Sequence, residues 1–209
     1  MSAHPNAHQL FTQVADPGTF VSWDIPLIDV GPSAEYAQEL ARAAEKSGVD
    51  ESVVSGEALV RGRRVAFVAC EFGFLAGTIG MAAAERLVVT IERATAEGLP
   101  LLAGPASGGT RMQEGTLAFM AMVKISAAIS RHKEAGLPYL VYLRHPTTGG
   151  VMATWGSLGH LTVAEPGALV GFLGPRVHEA LFGFAFPEGV QTSENLFRHG
   201  LLDAVVPPE

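Results

Sequence analysis

Three times along this chain, a short apolar run enters a glycine-bearing turn and the turn opens a helical pattern. The first pass is Val65–Cys70, then Gly73–Gly80, then a helix over about Ile79–Ala96. The second is Leu99–Ala103, then Ser107-Gly108-Gly109, then a helix over about Met112–Ala135. The third is Tyr139–Leu143, then Pro146–Gly150, then a helix over about Val151–Leu158. Such alternation implies parallel crossovers and an α/β fold with a mainly parallel sheet flanked by helices. The strands are unbroken apolar runs, as expected when both sheet faces are covered. Leu161–Ala164 and Ala168–Gly171 read as further strands, and Thr192–His199 as a closing helix. Upstream, Glu57–Val60 and Arg64–Cys70 read as strands joined by a tight turn at Arg61–Arg63, after a helix over Glu35–Lys46 that stops at Gly48. Residues 1–34, punctuated by Asp16, Pro17, Gly18, Pro26, Gly31 and Pro32, read as an irregular arm, which leaves 35–209 as the folded domain.

Composition narrows the function classes. Hydrophobic residues are 48% and charged residues 17%, a globular balance that rules out a disordered or fibrous chain. A net charge of −7 argues against nucleic acid or an anionic membrane as the main partner. The lone Cys70 excludes an internal disulfide framework and a four-cysteine zinc site, and it reads as a small core residue. No H-E-x-x-H occurs, so no metal site is expected. Met1–Leu10 lacks the pattern of a signal peptide, and glycines interrupt Thr147–Ala164, so a cytoplasmic protein is expected. In the long helix, Ala118, Met122, Ile125 and Ile129 form a core-facing stripe, and Met112, Met120 and Met122 read as packing rather than a cofactor box.

The glycine turns are where chemistry is expected. The first N–H groups of a helix have no intrahelical acceptor and favour negative charge. In open α/β sheets, ligands bind at the carboxyl ends of the strands. Gly108-Gly109 and Gly149-Gly150 therefore offer main-chain donors to a developing oxyanion, with simple turn-making as the competing reading. No G-x-x-x-x-G-K-S/T, no G-x-G-x-x-G after a strand and no G-x-S-x-G elbow is present. His145 and His160 read as buried, hydrogen-bonded groups rather than catalysts. Glu114 is either an acid or base, or a complement to the dipole of its helix, the second being favoured. Arg61, Arg63 and Arg64 form a solvated basic turn by default, with contact to nucleotide phosphates as the minority reading.

Several stretches then fall into a pattern together. Ser107-Gly108-Gly109-Thr110-Arg111-Met112-Gln113-Glu114 closely resembles the S-G-G-A-R-M-Q-E stretch of the carboxyltransferase β subunit of acetyl-CoA carboxylase. Thr147-Thr148-Gly149-Gly150 fills the place of that family's second glycine turn. Ala164–Val177 is similar to its A-E-P-x-A-L-I-G-F-A-G-P-R-V, Glu71–Gly80 to its E-F-x-F-M-G-G-S-M-G, and Pro187–Glu194 to its P-x-G-F-Q-R-S-E. The matches are colinear over about residues 16–206.

The resemblance implies a crotonase-like fold, a spiral of ββα units. It implies transfer of a carboxyl group from carboxybiotin, carried on a separate biotin carboxyl carrier protein, to the α-carbon of an acyl-CoA such as acetyl-CoA. The biotin ring nitrogen is then the implied base, and no side-chain dyad is needed. Gly108 and Gly109 match the oxyanion pair, and Gly149 and Gly150 the other turn of the pocket. Gly77, Gly80, Ser107, Thr110, Arg111, Thr148 and Arg176 match substrate-side positions. The bacterial β subunit begins with a four-cysteine zinc ribbon that this chain lacks, and single-chain relatives carry a second crotonase-like half. The implied partners are therefore an α-type half, the biotin carrier and biotin carboxylase, in a homo- or hetero-oligomer. A stand-alone enoyl-CoA hydratase or isomerase using Glu114, and a non-catalytic scaffold, are the alternatives.

Overall fold

The computed structural model describes residues 5–208. The chain runs α1 (Ala7–Val14), β1 (Val21–Ser22), α2 (Ala34–Ser47), β2 (Val53–Val60), β3 (Arg63–Cys70), α3 (Met81–Ala96), β4 (Leu101–Gly104) and α4 (Gly115–Glu134). It continues with β5 (Tyr139–Leu143), β6 (Thr147–Thr148), α5 (Gly149–Val151), β7 (Leu161–Ala164), β8 (Val170–Gly171), α6 (Pro175–Phe182), α7 (Ser193–Arg198) and β9 (Ala204–Val205).

One sheet has the order β1-β2-β3-β4-β5-β7-β9. The β1–β2–β3 end is antiparallel, and every pairing from β3 to β9 is parallel, with Val68 opposite Ala103 and Ala103 opposite Val141. A second layer is built from single rungs. β6 pairs with β8, and isolated bridges join Ile79 to Thr110, Ser107 to Thr147 and Leu169 to Thr192. After β3, β4, β5 and β7 the chain thus enters this second layer before its next helix, which is the expected ββα spiral. α3 and α4 cover one face of the large sheet around Leu87, Ile91, Ile125, Ile129 and Trp155.

The N-terminal segment differs from the irregular arm that its punctuation suggests. Asn6 and Gln9 form a capping box, each side chain accepting the other's backbone N–H at 2.8 Å, and this starts α1. Leu10 and Phe11 are buried on the outer face of the sheet. The Phe11 ring stacks on Phe20 with centroids 4.9 Å apart and meets the edge of Phe67 at 5.3 Å. An eight-residue helix is too short for periodicity to announce it. Residues 1–4, the start of that arm, lie outside the described residues.

The other helices follow their start and stop signals. α2 ends at Gly48, which sits in the left-handed region at φ 74°. The third helix begins two residues earlier than its pattern suggests and passes into a π turn over Met152–Gly156. α6 was not anticipated, although Pro175 at its start and Gly183 at its end are its signals. The α4 stripe of Ala118, Met122, Ile125 and Ile129 is buried as expected. The reading of all three methionines as packing is corrected: Met112 is 84% exposed in the turn that precedes α4, and Met120 is exposed on the solvent side of the α4 stripe. Among the described residues no helix is long and apolar enough to cross a membrane.

If α1 is part of the core, Phe11→Ala should destabilise the fold by about 3–5 kcal/mol in equilibrium denaturation. A loose arm would give a change within about 0.5 kcal/mol. Burial pushes the Cys70 thiol up to about 11, so its thiolate fraction at pH 8 is small. A thiol reagent at that pH should label Cys70 only as fast as the chain unfolds.

Candidate active site

The two glycine turns lie at the carboxyl ends of β4 and β5, and the main chain zips them together. Ser107 N donates to Pro146 O at 2.6 Å, and Thr148 N donates to Ser107 O at 2.9 Å. A Cβ placed on Gly109 would lie 3.3 Å from Thr148 O and 3.4 Å from Gly150 N. One placed on Gly149 would lie 3.5 Å from Gly108 O and from Gly109 Cα. Gly109 has φ +112° and Gly149 φ +62°, where L side chains are strained. Glycine is therefore required on both sides of the contact.

The donors are not distributed as the sequence suggests. Gly108 N donates to Ala76 O at 2.9 Å, and Gly109 N donates to the Ser107 hydroxyl at 3.0 Å. Gly108 and Gly109 are thus not a ready pair of open amides: the first is spent on holding the turn, and the second faces a rotatable hydroxyl. Gly149 and Gly150 open the helical segment, where first-turn amides have no intrahelical acceptor. Thr148, the residue before them, gives no side-chain cap; its hydroxyl turns to Ser107 O at 3.4 Å. Thr110 stands over Gly150, its hydroxyl oxygen 2.6 Å from where a Gly150 Cβ would be.

Gly77 and Gly80 act by close packing. A Cβ on Gly77 would come 2.1 Å from Ala106 O, and one on Gly80 would come 2.2 Å from a Glu114 carboxylate oxygen. The atoms that an added Cβ would meet at both positions belong to this chain, so close packing requires glycine there.

Arg111, whose motif match leaves open whether it binds ligand or holds a loop, is buried in this structure, with 1% of it exposed. Its guanidinium pairs with both oxygens of Glu51, with Nη1 to Oε2 at 2.9 Å, and donates to Thr78 O at 2.7 Å, Ser52 Oγ at 3.1 Å and Tyr36 Oη at 3.3 Å. Burial alone would lower its pKa, but the Glu51 pair outweighs this and holds it above the usual arginine value. Backbone bonds from Ile79 N to Gly109 O and from Arg111 N to Ile79 O, both 2.9 Å, couple the anchor to the glycine turn.

Glu114 does complement a helix dipole, but that of α3 rather than its own helix. One oxygen accepts from Tyr36 Oη at 2.5 Å and the other from Met81 N, the first amide of α3, at 2.5 Å. Burial, with help from Glu114, raises the Tyr36 phenol above its usual pKa, so it stays a donor. Both Glu114 oxygens are committed, which disfavours it as an acid or base.

His160 is exposed, not buried, and accepts from Tyr139 N at 3.0 Å; His145 accepts from Leu169 N at 3.1 Å. Arg64 pairs with Glu57 and Glu97, and its hairpin lies at the amino end of β3, away from the turns. Arg176 falls in α6, and its side chain lies outside the described ones. Among the described residues no group of three or more His, Cys, Asp or Glu could hold a metal ion.

Two residues that sequence reasoning passed over shape this region. Arg144, buried at the end of β5, donates to Gly104 O at 2.8 Å, Pro5 O at 2.9 Å and Cys70 O. It ties the ends of two strands to the start of α1, and an arginine directly after an apolar strand was its only signal. Gln191 lies across Gly171, the register partner of Thr148, and donates to Leu173 O at 2.7 Å while its buried carbonyl oxygen has no hydrogen-bond partner among the described residues.

The family model of the carboxyl transferase domain matches residues 19–200. A probable biotin-dependent acyl-coenzyme A carboxylase beta3 subunit of Mycobacterium tuberculosis is 68% identical over 198 residues, which are 95% of this chain and 40% of that protein. This chain thus spans less than half the length of that relative. The acetyl-coenzyme A carboxylase carboxyl transferase subunit beta of Opitutus terrae is 43% identical, over 96% of this chain and 71% of that protein. Among solved structures, the transcarboxylase 12S hexamer core superposes with a TM-score of 0.78 at 21% identity, over 98% of this chain and 39% of that one. The Pseudomonas malonate decarboxylase MdcD-MdcE heterodimer superposes with a TM-score of 0.76 at 24% identity, over 98% and 80%.

Arg111→Ala would strand Glu51 as a buried unpaired carboxylate. It should cost about 3–5 kcal/mol of stability, read as a lowered Tm and denaturant midpoint.

Proposed function

The chain belongs to the carboxyl transferase domain family, and on that premise we propose that it is the acyl-CoA-binding half of a biotin-dependent carboxyltransferase. The observation that carries this is the face-to-face packing of the Gly108-Gly109 and Gly149-Gly150 turns, with uncapped amides on the second. An acyl-CoA thioester oxygen seated there accepts from the Gly149 and Gly150 amides, and from Gly109 N once the Ser107 hydroxyl rotates aside.

Loss of the α-proton moves the C–H electron pair towards that oxygen. The enolate carbon then attacks the CO₂ given up by carboxybiotin, the second substrate, and the proton passes to the biotin ring nitrogen. The amides act on charge that appears only as the enolate forms, so they lower the barrier rather than merely tighten binding. The commitment of Glu114 to Tyr36 and to α3 supports a base that arrives with the substrate, and weakens the stand-alone hydratase reading. The acyl-CoA, the carrier and a second crotonase-like half contributed by a partner chain are all part of this proposal.

The test is reconstitution with a matching α-type half, a biotinylated carrier and acetyl-CoA, followed as carboxyl transfer or malonyl-CoA decarboxylation. No turnover under those conditions would defeat the reading. Gly149→Val should lower turnover by about 10²–10³-fold, the usual effect of losing one oxyanion donor, while the protein keeps a cooperative thermal transition. Unchanged turnover would remove the turns from the chemistry.

A further inference from the structure

Threonine stands at position 110, where the S-G-G-A-R stretch that this turn resembles has alanine. Its main chain is braced on both sides. Thr110 bridges to Ile79, Ile79 N donates to Gly109 O, and Arg111 N donates to Ile79 O, both at 2.9 Å. From that fixed backbone the side chain reaches the second glycine turn. Thr110 Oγ1 lies 2.6 Å from where a Cβ on Gly150 would be, with Met122 Cε 3.6 Å from the same point. A β-branched side chain has few χ1 choices, so the braced main chain also fixes where the hydroxyl can stand.

A hydroxyl offers one donor and two acceptor lone pairs. The two turns carry four hydroxyls, on Ser107, Thr110, Thr147 and Thr148. Ser107 Oγ accepts from Gly109 N at 3.0 Å, Thr147 Oγ1 donates to Arg144 O at 2.8 Å, and Thr148 Oγ1 donates to Ser107 O at 3.4 Å. Thr154, the next hydroxyl along the helical segment, donates to Gly150 O at 2.7 Å. Thr110 Oγ1 alone of the four has no hydrogen-bond partner among the described residues. It stands partly buried against a methionine methyl and a glycine, where the alanine of the resembled stretch would pack without a polar atom. Packing therefore does not account for the hydroxyl, whereas a bound group seated between the turns would.

We propose that the Thr110 hydroxyl is a further donor to the acyl-CoA thioester oxygen, beside the Gly149 and Gly150 amides. This rests on the acyl-CoA reading above and adds one side chain to a site otherwise built from main chain. The hydroxyl hydrogen turns towards the oxygen as negative charge gathers there. The proton stays on Thr110 throughout, so the group stabilises the enolate and is no base. Hydrogen bonds to a charged acceptor are about twice as strong as neutral ones, so the contact strengthens as the enolate forms. Because the resembled stretch has alanine here, this donor belongs to this chain's own version of the turn.

The test is calorimetric titration of the full chain with acetyl-CoA, with free CoA, and with an acetyl-CoA analogue in which a nitronate replaces the thioester and carries the enolate's charge. Thr110→Val puts a methyl in place of the hydroxyl. It should weaken the nitronate analogue by at least about tenfold, the scale of one hydrogen bond to a charged group, and leave acetyl-CoA and free CoA within about twofold. Thr110→Ser should keep most of the nitronate affinity, and Thr110→Ala should lose it as Thr110→Val does. In the reconstituted carboxyl-transfer assay, Thr110→Val should lower kcat by a similar factor with KM unchanged. Equal nitronate affinity in the wild type and Thr110→Val would overturn the proposal, as would equal losses for all three ligands or a Thr110→Ser variant as weak as Thr110→Val. A selective loss of nitronate affinity in Thr110→Val, with no carboxyl transfer by the wild type, would keep the Thr110 donor and defeat the carboxyltransferase reading. Carboxyl transfer by the wild type that Thr110→Val leaves unchanged would keep that reading and defeat the donor. A wild type that binds neither acetyl-CoA nor the nitronate would defeat both.

Discussion

The bend at Gly108-Gly109 is tied to a buried ion pair, Arg111 with Glu51. Arg111 and Glu51 are both removed from water, and desolvation costs several kcal/mol per ion unless every polar atom is used. Here all three guanidinium nitrogens donate, to Glu51, Ser52, Thr78 and Tyr36. The pair draws the start of β2, the Thr78 turn and the residues after Gly109 to one point. Glu114 continues the network to the start of α3. A pair of this kind specifies where a turn must sit more than it adds net stability.

Once the turns are held, the chemistry they offer is that of the main chain. Two backbone segments approach until only glycine fits between them, and the amides of the second turn remain uncapped. The buried side chains nearby are occupied with one another, and Glu114 illustrates this. A site of that design stabilises negative charge without supplying a base, which suits a reaction whose second substrate brings its own proton acceptor.

Much of the fold was legible because its signals are local. Strand, glycine turn and helix recur in order, and Gly48 marks the end of α2 by conformational preference alone. What was missed has a common cause. α1 is too short to show a period, and its burial comes from Phe20 and Phe67, distant in sequence. Met120 shares a residue type with Met122 but not its face of α4, and Met112 lies before that helix begins. The close approach of Ala106 and the Glu114 side chain to Gly77 and Gly80 is likewise set by residues distant in sequence.

The sequence by itself determined the strand–turn–helix order and the positions of the glycine pairs, because these rest on period and backbone preference, and it carried the family through the resemblance of its motifs. Only the tertiary structure decided that Gly108 N is spent on Ala76 O and that Arg111 is buried against Glu51. Each of those depends on a partner far along the chain, such as Glu51 for Arg111 or Ala76 for Gly108, and no local preference encodes a partner's identity.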